Sequence, residues 1–162
     1  METGFITEVD RYLFGEGTHY EIYKKLGAHL TEYQGEKGVY FAVWAPNARN
    51  VSVVGDFNGW IGYNHNMTRL GTSGIYELFV PGLTAGELYK FAIVTPSGQT
   101  IMKADPFGNY TEMRPNTASI VTDITGFEWT DKSWEHHSNP MAIYEVHIGS
   151  WKKTADVDAG GF

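Results

Sequence analysis

The side chains best suited to chemistry lie in residues 55–60, which read Gly-Asp-Phe-Asn-Gly-Trp. The Trp follows directly on an Asn-Gly turn, which closes the alternating run at residues 50–54. An indole combines a large apolar face with a polar edge, so it can cover the C–H face of a sugar ring while neighbouring polar groups bind the hydroxyls. Trp60 is therefore a candidate sugar contact, and the alternative is a Trp that packs under a neighbouring loop.

Composition and charge limit the class of protein. The chain has 162 residues, 42% hydrophobic and 15% aromatic, as expected for one globular domain with a core. Asp and Glu number 19 against 12 Lys and Arg, a net charge of −7, and no basic run occurs, so nucleic acid is not an expected partner. The sequence shows neither a secretory signal nor a run of ~18 apolar residues. We therefore expect a cytoplasmic protein with no membrane partner.

The sequence contains no pattern for a metal, a cofactor or a catalytic centre. Cysteine is absent, so neither a disulfide nor a thiolate metal site can form. His136 and His137 are adjacent but lack a third ligand at useful spacing. Residues 15–17, Gly-Glu-Gly, do not continue into the glycine pattern of a dinucleotide site. The acidic residues are scattered through turns and linkers, so we expect no catalytic pair of carboxylates, no metal and no cofactor.

The elements that must position Trp60 are mostly short strands. Apolar residues at helical spacing predict a short helical lead-in within residues 9–26, with Thr18 as an N-cap and Gly27 as its stop. From Leu30 onward the period changes to two. Short β-rich runs lie at residues 39–44, 51–54, 74–80, 88–94 and 118–121. Turn residues instead of helices separate these runs, which predicts a mainly β fold, an antiparallel sandwich of about 100 residues.

The character of the sequence changes after Phe127. A polar stretch without apolar period runs to Pro140, as a linker would. Residues 141–151 then form a run that begins with apolar side chains on both faces, as in a buried parallel strand. Such a strand needs partner strands, so this pattern predicts the front end of a larger enzyme.

Five blocks of the sequence share the order found in one enzyme family. They are residues 9–30, 41–48, 55–60, 103–107 and 143–151. Together they resemble the N-terminal portion of a bacterial-type 1,4-α-glucan (glycogen) branching enzyme. The resemblance implies a carbohydrate-binding module of family 48, an immunoglobulin-like sandwich. It also implies that Met1 is the natural start of a short-form enzyme.

The resemblance divides the chain into three parts. A helical lead-in is expected at residues 1–26, the sandwich at residues 27–127, and a linker with the start of the catalytic barrel at residues 128–162. The first strand of this (β/α) barrel of the α-amylase superfamily would begin near Ile143.

The chemistry implied by the resemblance is retaining transglycosylation. A carboxylate nucleophile opens an α-1,4 linkage, a second carboxylic acid protonates the leaving oxygen, and the glucan passes to a 6-hydroxyl. Those carboxylates belong to later barrel strands, outside this sequence. The chain is thus expected to be the non-catalytic N-terminal region, which binds or positions α-glucan and packs on the enzyme's own catalytic barrel.

The resemblance also implies which residues contact sugar. Trp60 matches the stacking aromatic of starch-binding members, and Lys90 matches the lysine that donates to glucose hydroxyls, with a solvated strand lysine as the alternative. Asn116 and Ser119 fall near the last polar contact of the family. Glycogen-binding members carry a second Trp after the next hairpin, and residues 98–102 contain none. We therefore expect weak binding by the isolated chain.

Two other functions remain open at this point. A free-standing glycogen-binding or scaffold module would share the sandwich, but it has no use for the barrel-like residues 144–151. Debranching and trehalose-forming enzymes carry similar modules. The lead-in at residues 18–20 and the octapeptide at residues 144–151 favour branching, while the deciding barrel residues lie outside the sequence.

Overall fold

The protein is an antiparallel two-sheet sandwich preceded by a short helix. The computed structural model describes residues 5–126, 128, 130 and 142–147. In chain order the elements are α1 (Glu8–Gly15), a 3₁₀ turn (Ile22–Lys24), β1 (Gly27–Tyr33), β2 (Glu36–Trp44), β3 (Asn50–Gly55), a second 3₁₀ turn (Asp56–Asn58), β4 (Thr68–Arg69), β5 (Ile75–Pro81), β6 (Leu88–Val94), β7 (Thr100–Lys103) and β8 (Ser119–Ile120). The first sheet has the order β1-β2-β5-β4, and the second has β3-β6-β7 with β8 also paired to β6. The predicted mainly β sandwich is confirmed.

The core lies between the two sheets. Successive side chains of a strand point to opposite faces, so every second residue of each long strand faces the other sheet. The main inward-facing side chains are those of Val39, Phe41, Val43, Val51, Val53, Tyr76, Tyr89 and Phe91. This alternation determines which residues of β3 and β6 are left on the outer face of the second sheet.

Strand β2 is buried on both of its faces. Its outer face carries Tyr40 and Ala42, which belong to a second apolar cluster with Ile6, Leu26 and Ile75. The segment before β1 therefore covers the outer face of the first sheet. For this reason β2 reads as a nearly continuous apolar run instead of a strict alternation.

The helix begins earlier than the sequence pattern predicted. Thr7 and Asp10 form a capping box: the Thr7 hydroxyl accepts from the Asp10 amide at 3.2 Å, and the Asp10 carboxylate accepts from the Thr7 amide at 2.8 Å. The predicted N-cap role of Thr18 is wrong, because its hydroxyl donates to the carbonyl of Leu13 at 3.3 Å. Gly27 is the first residue of β1, and only a 3₁₀ turn forms before it.

A small charge cluster joins separate parts of this lead-in to one another. A ring nitrogen of His19 lies 2.8 Å from Asp10, and Lys25 Nζ lies 3.4 Å from the same carboxylate and donates to the Phe5 carbonyl at 2.9 Å. Burial alone would raise the pKa of Asp10. Hydrogen bonds from Thr7 and His19 and the charge of Lys25 outweigh burial and hold this pKa below its ordinary value.

The chain divides into two units, at residues 1–126 and 127–162. In the second unit, residues 142–147 are exposed and have no regular secondary structure. A parallel strand obtains its hydrogen bonds from neighbouring strands, so the barrel strand near Ile143 stays a prediction. Most of the predicted linker and residues 148–151 lie outside the described residues. In the part of the chain that the structure describes, no helix has the length and apolarity to cross a membrane.

Candidate functional site

The turn after β3 holds Trp60 in a defined position. The Gly55 amide donates to Asn58 Oδ1 at 3.0 Å, and Asn58 Nδ2 donates to the Val53 carbonyl at 3.0 Å. The Trp60 amide then returns to the Gly55 carbonyl at 2.9 Å. Glycine is required at position 55 because a Cβ there would overlap the carbonyl oxygen of Leu88. The sequence Gly-Asp-Phe-Asn-Gly-Trp therefore encodes one tight turn.

The backbone of Trp60 itself is in an uncommon conformation. Gly59 has a φ of 61° and Trp60 a φ of 64°, both in the left-handed region. For a bulky side chain this region costs on the order of 1–3 kcal/mol, and such residues concentrate at binding sites. The indole Nε1 donates to Asp56 Oδ1 at 2.8 Å, which fixes the edge of the ring. The turn thus maintains a strained backbone that presents a partly exposed indole.

Lys90 lies on the outer face of the second sheet. Its neighbours Tyr89 and Phe91 face the core, so Lys90 points away from it. The register pairs Lys90 with Val54, one position from the end of β3 that carries the Trp60 turn. Lys90 Nζ donates to Thr117 Oγ1 at 2.8 Å. An ammonium group has three donors, so donors of Lys90 remain for a ligand.

Asn116 belongs to the loop that Lys90 contacts. Its side chain is exposed, and its Nδ2 donates to Glu112 Oε1 at 3.2 Å. The other oxygen of Glu112 accepts from the Ala118 amide at 2.9 Å, which closes the loop. The bond from Lys90 to Thr117 therefore brings Lys90 and Asn116 to one area of surface. Thr117 was missed in the sequence because its role depends on a contact 27 residues away.

Ser119 lies on the inner side of the same sheet. It is fully buried, and its hydroxyl accepts from the Asp105 amide at 2.9 Å. Asp105 also accepts from the Tyr89 hydroxyl at 2.6 Å and from the Phe107 amide at 2.8 Å. Burial raises the pKa of Asp105, although the Tyr89 hydrogen bond favours its charged form. The Ser119 side chain is inaccessible to a sugar, so this expected contact is replaced by a structural role.

An exposed methionine lies beside Lys90 on the outer face. Met102 pairs with Ala92, which is two residues from Lys90 and so shares its face. Half of the Met102 side chain is exposed. It falls within residues 98–102, where the second Trp of glycogen-binding members was sought and not found. Met102 thus supplies an apolar surface there, without an aromatic ring.

The site has hydrogen-bonding groups and apolar surface but no metal ligands. Among the described residues, no group of three His, Asp or Glu side chains could hold a metal ion. Trp60, Lys90, Asn116 and Met102 offer an indole, an ammonium, an amide and a thioether. This combination suits a neutral polar ligand that is bound by stacking and by hydrogen bonds. A two-sheet sandwich that exposes these groups matches the class of carbohydrate-binding modules.

Comparison with known families agrees with this class. The model of the family "Carbohydrate-binding module 48 (Isoamylase N-terminal domain)" matches residues 25–108. The chain belongs to this family.

Individual relatives are more similar still. The chain is 53% identical over 165 residues to a 1,4-α-glucan branching enzyme of Butyrivibrio fibrisolvens, covering 98% of this chain and 26% of the relative. It is 55% identical over 153 residues to a branching enzyme of Thermosynechococcus vestitus, covering 90% of this chain and 20% of the relative. The expected resemblance is confirmed, and the chain spans about a quarter of the length of the first of these curated relatives and a fifth of the second.

A solved structure shows the same arrangement. The ligand-free crystal structure of PulA from Klebsiella pneumoniae matches with a TM-score of 0.50 and 28% identity. The match covers 61% of this chain and 10% of PulA. Such a sandwich therefore also occurs as a small part of a much longer chain.

Proposed function

We propose that this chain is the glucan-binding N-terminal region of a 1,4-α-glucan branching enzyme. The observation that carries the proposal is the 53% identity to a branching enzyme over 98% of the chain. In the proposed enzyme, the chain positions an α-glucan and packs on the catalytic barrel. The barrel transfers an α-1,4-linked segment to a 6-hydroxyl.

The proposed glucan site is the outer face of the second sheet. Trp60 stacks on the C–H face of a glucose ring, and Lys90 donates to its hydroxyls with the donors that Thr117 leaves unused. Asn116 supplies further polar contacts from the loop beyond Lys90. Ser119 takes no part, because it is buried beneath this face.

The proposed site binds weakly when isolated. A single stacked ring contributes about 1–3 kcal/mol, by analogy with bases on aromatic side chains. Hydrogen bonds from hydroxyls add little, because each replaces one to water. A dissociation constant near one millimolar corresponds to about 4 kcal/mol, which is the range we expect. Retention on glycogen then arises from many sites on one polymer.

The reaction is tested with the full-length protein that carries this chain. Branching transfers a chain segment without net hydrolysis, so iodine staining of amylose should fall while the number of reducing ends stays constant. The 162-residue chain alone is the control, and we expect it to change neither quantity because the catalytic carboxylates are outside it.

Each other outcome identifies an alternative. New reducing ends from the full-length protein would favour a debranching or other hydrolytic enzyme, the class that the sandwich alone leaves open. Conversion of maltooligosaccharides to a non-reducing disaccharide would favour a trehalose-forming enzyme. The absence of any turnover would favour a free-standing binding module. Turnover by the 162-residue chain alone would contradict the assignment of a non-catalytic region.

A further inference from the structure

A groove of about 330 Å³ lies on the outer face of the first sheet, on a different sheet from Trp60. It is the part of that face which lies beside Phe5 and includes residues from β1, β2, β4 and β5. We call it the Glu77 groove, and its lining used below consists of Phe5, Tyr33, Tyr40, Thr68, Glu77 and Phe79. Neither the expected sugar contacts nor the family motifs of the sequence include this groove.

One side of the Glu77 groove is a continuous aromatic surface. The ring centroid of Phe5 lies 5.4 Å from that of Tyr33 and 4.3 Å from that of Tyr40. Tyr33 and Phe79 are 5.5 Å apart. Tyr40 is buried beneath, while Phe5, Tyr33 and Phe79 are partly exposed. The groove therefore offers ring surface to a ligand, and it does so on residues held by their mutual packing.

The other side of the groove is polar. Thr68 pairs with Glu77 in the register of β4 and β5, so the two side chains share this face. Glu77 Oε2 accepts from the Tyr40 hydroxyl at 2.7 Å, which orients the carboxylate. Glu77 Oε1 has no hydrogen-bond partner among the described residues. An oriented acceptor and an exposed hydroxyl thus lie beside the aromatic surface.

We propose that the Glu77 groove is a second carbohydrate site, which binds one or two pyranose units of an α-glucan. The aromatic surface packs on the C–H face of the sugar. Glu77 Oε1 accepts from a sugar hydroxyl, and Thr68 donates or accepts a second hydrogen bond. The volume lies at the small end of the range of about 300–1,000 Å³ for ligand sites, which limits the bound segment. The choice of an α-glucan as the ligand rests on the proposed function, whereas the inference that the groove binds a sugar does not.

The arrangement of the rings favours a sugar over an organic cation. A quaternary ammonium group is bound within about 6 Å of several ring centroids that surround it. Here the rings contact each other, with centroids 4.3–5.5 Å apart, so they leave no space for a cation between them. They form a surface instead of a cage, and a surface matches the flat face of a pyranose.

Two sites on different sheets predict a specific consequence. One polymer chain, or two branches of it, can contact both faces of the module, so each module binds a polymer at two places. Retention on glycogen should then depend on both sites much more strongly than binding of a short oligosaccharide does.

The proposal is tested by amide chemical shifts of the 162-residue chain during titration with maltoheptaose. We expect saturable shifts at Thr68 and residues 77–79 that persist in Trp60→Ala. The isosteric variant Glu77→Gln should weaken binding at this groove about tenfold. The isosteric variant Thr68→Val should weaken it less. Glu87→Gln, a control directly before β6 of the other sheet, should leave binding at the groove unchanged. Thermal unfolding of each variant verifies that the fold is retained.

The outcomes separate this proposal from the proposed function. Shifts near Lys90 without shifts at residues 77–79 would overturn the second site and leave the first intact. Shifts at residues 77–79 alone would support the groove and contradict the Trp60 site. The second site would be overturned by shifts at the groove that disappear in Trp60→Ala or that are unaffected by Glu77→Gln. Shifts that appear with choline and not with maltoheptaose would overturn it as well.

Discussion

Replacing Tyr89 by Phe tests how much the buried polar network contributes to the stability of the sandwich. Tyr89 lies in the core of the sandwich next to Lys90, and its hydroxyl donates to Asp105 at 2.6 Å. The variant removes one oxygen and leaves the packing of the ring in place. It therefore isolates the hydrogen bond to a buried carboxyl whose pKa is raised by burial.

The size of the effect depends on the charge of Asp105. A hydrogen bond to a charged group contributes about 1.5–3 kcal/mol, and one between neutral groups about 0.5–1.5 kcal/mol. A carboxyl with a raised folded pKa binds more protons when folded, so its contribution to stability is full below the unfolded pKa, about 3.9. That contribution is lost as the pH rises through the folded pKa. Above it, Asp105 is charged and depends most on the Tyr89 hydroxyl.

Tyr76→Phe provides a matched control. Tyr76 is a buried tyrosine of the same core, and its hydroxyl donates to the Ala48 carbonyl at 2.8 Å. A carbonyl does not titrate, so the loss of stability in this variant should be about 1 kcal/mol at any pH. For Tyr89→Phe we expect a loss of about 1 kcal/mol at pH 4 and about 2–3 kcal/mol at pH 8.

The assay is urea unfolding of the two variants and the parent chain at pH 4 and pH 8. Tryptophan fluorescence and circular dichroism should report one transition, and linear extrapolation gives the free energies. Equal and pH-independent losses in both variants would refute the reasoning, because Asp105 would then not carry the charge in the folded core. A smaller loss for Tyr89→Phe at pH 8 than at pH 4 would refute it equally.

Further changes test other parts of the structure. Gly38→Ala should destabilise the fold by about 1–3 kcal/mol in urea unfolding, because the new Cβ would overlap the Val80 carbonyl oxygen. The control Gly15→Ala places its Cβ in open space and should not destabilise the fold. Asp10→Asn should lower the free energy of unfolding at pH 7. Because the pKa of Asp10 is lowered in the folded state, the parent chain should lose the same stability as the pH falls below about 3.9. Equal dependence of the unfolding free energy on pH in both chains would contradict this. Met102→Trp should tighten maltoheptaose binding by about five- to a hundredfold in a calorimetric titration, since it adds a second ring to the outer face, and an unchanged affinity would exclude position 102 from the site.

Much of the fold was predictable because its signals are local. Alternation in residues 88–94 places Tyr89 and Phe91 inward and therefore Lys90 outward. The Asn-Gly dipeptide before Trp60 marks the turn that presents the indole. These features need only the period of a strand and the preferences of turn residues.

The remainder depends on contacts between distant segments. The sequence predicted Thr18 as the N-cap, whereas the capping box that Thr7 forms with Asp10 begins the helix earlier in the chain. The face of Ser119 depends on the register of β8, a strand of two residues, and a shift by one residue would reverse it. Met102 and the Glu77 groove appear only when the partners across the strands are known.

The most direct test of the proposed function follows the amide signals of Lys90 and Thr117 during titration with maltoheptaose. In the parent chain, we predict shifts that saturate with a dissociation constant near one millimolar, corresponding to about 4 kcal/mol. Trp60→Ala should abolish them, while Trp44→Ala, which removes an exposed indole from the first sheet, should retain them. Shifts near Lys90 that persist in Trp60→Ala would contradict the stacking role of Trp60, and the absence of shifts from the parent chain would contradict a glucan site on this face.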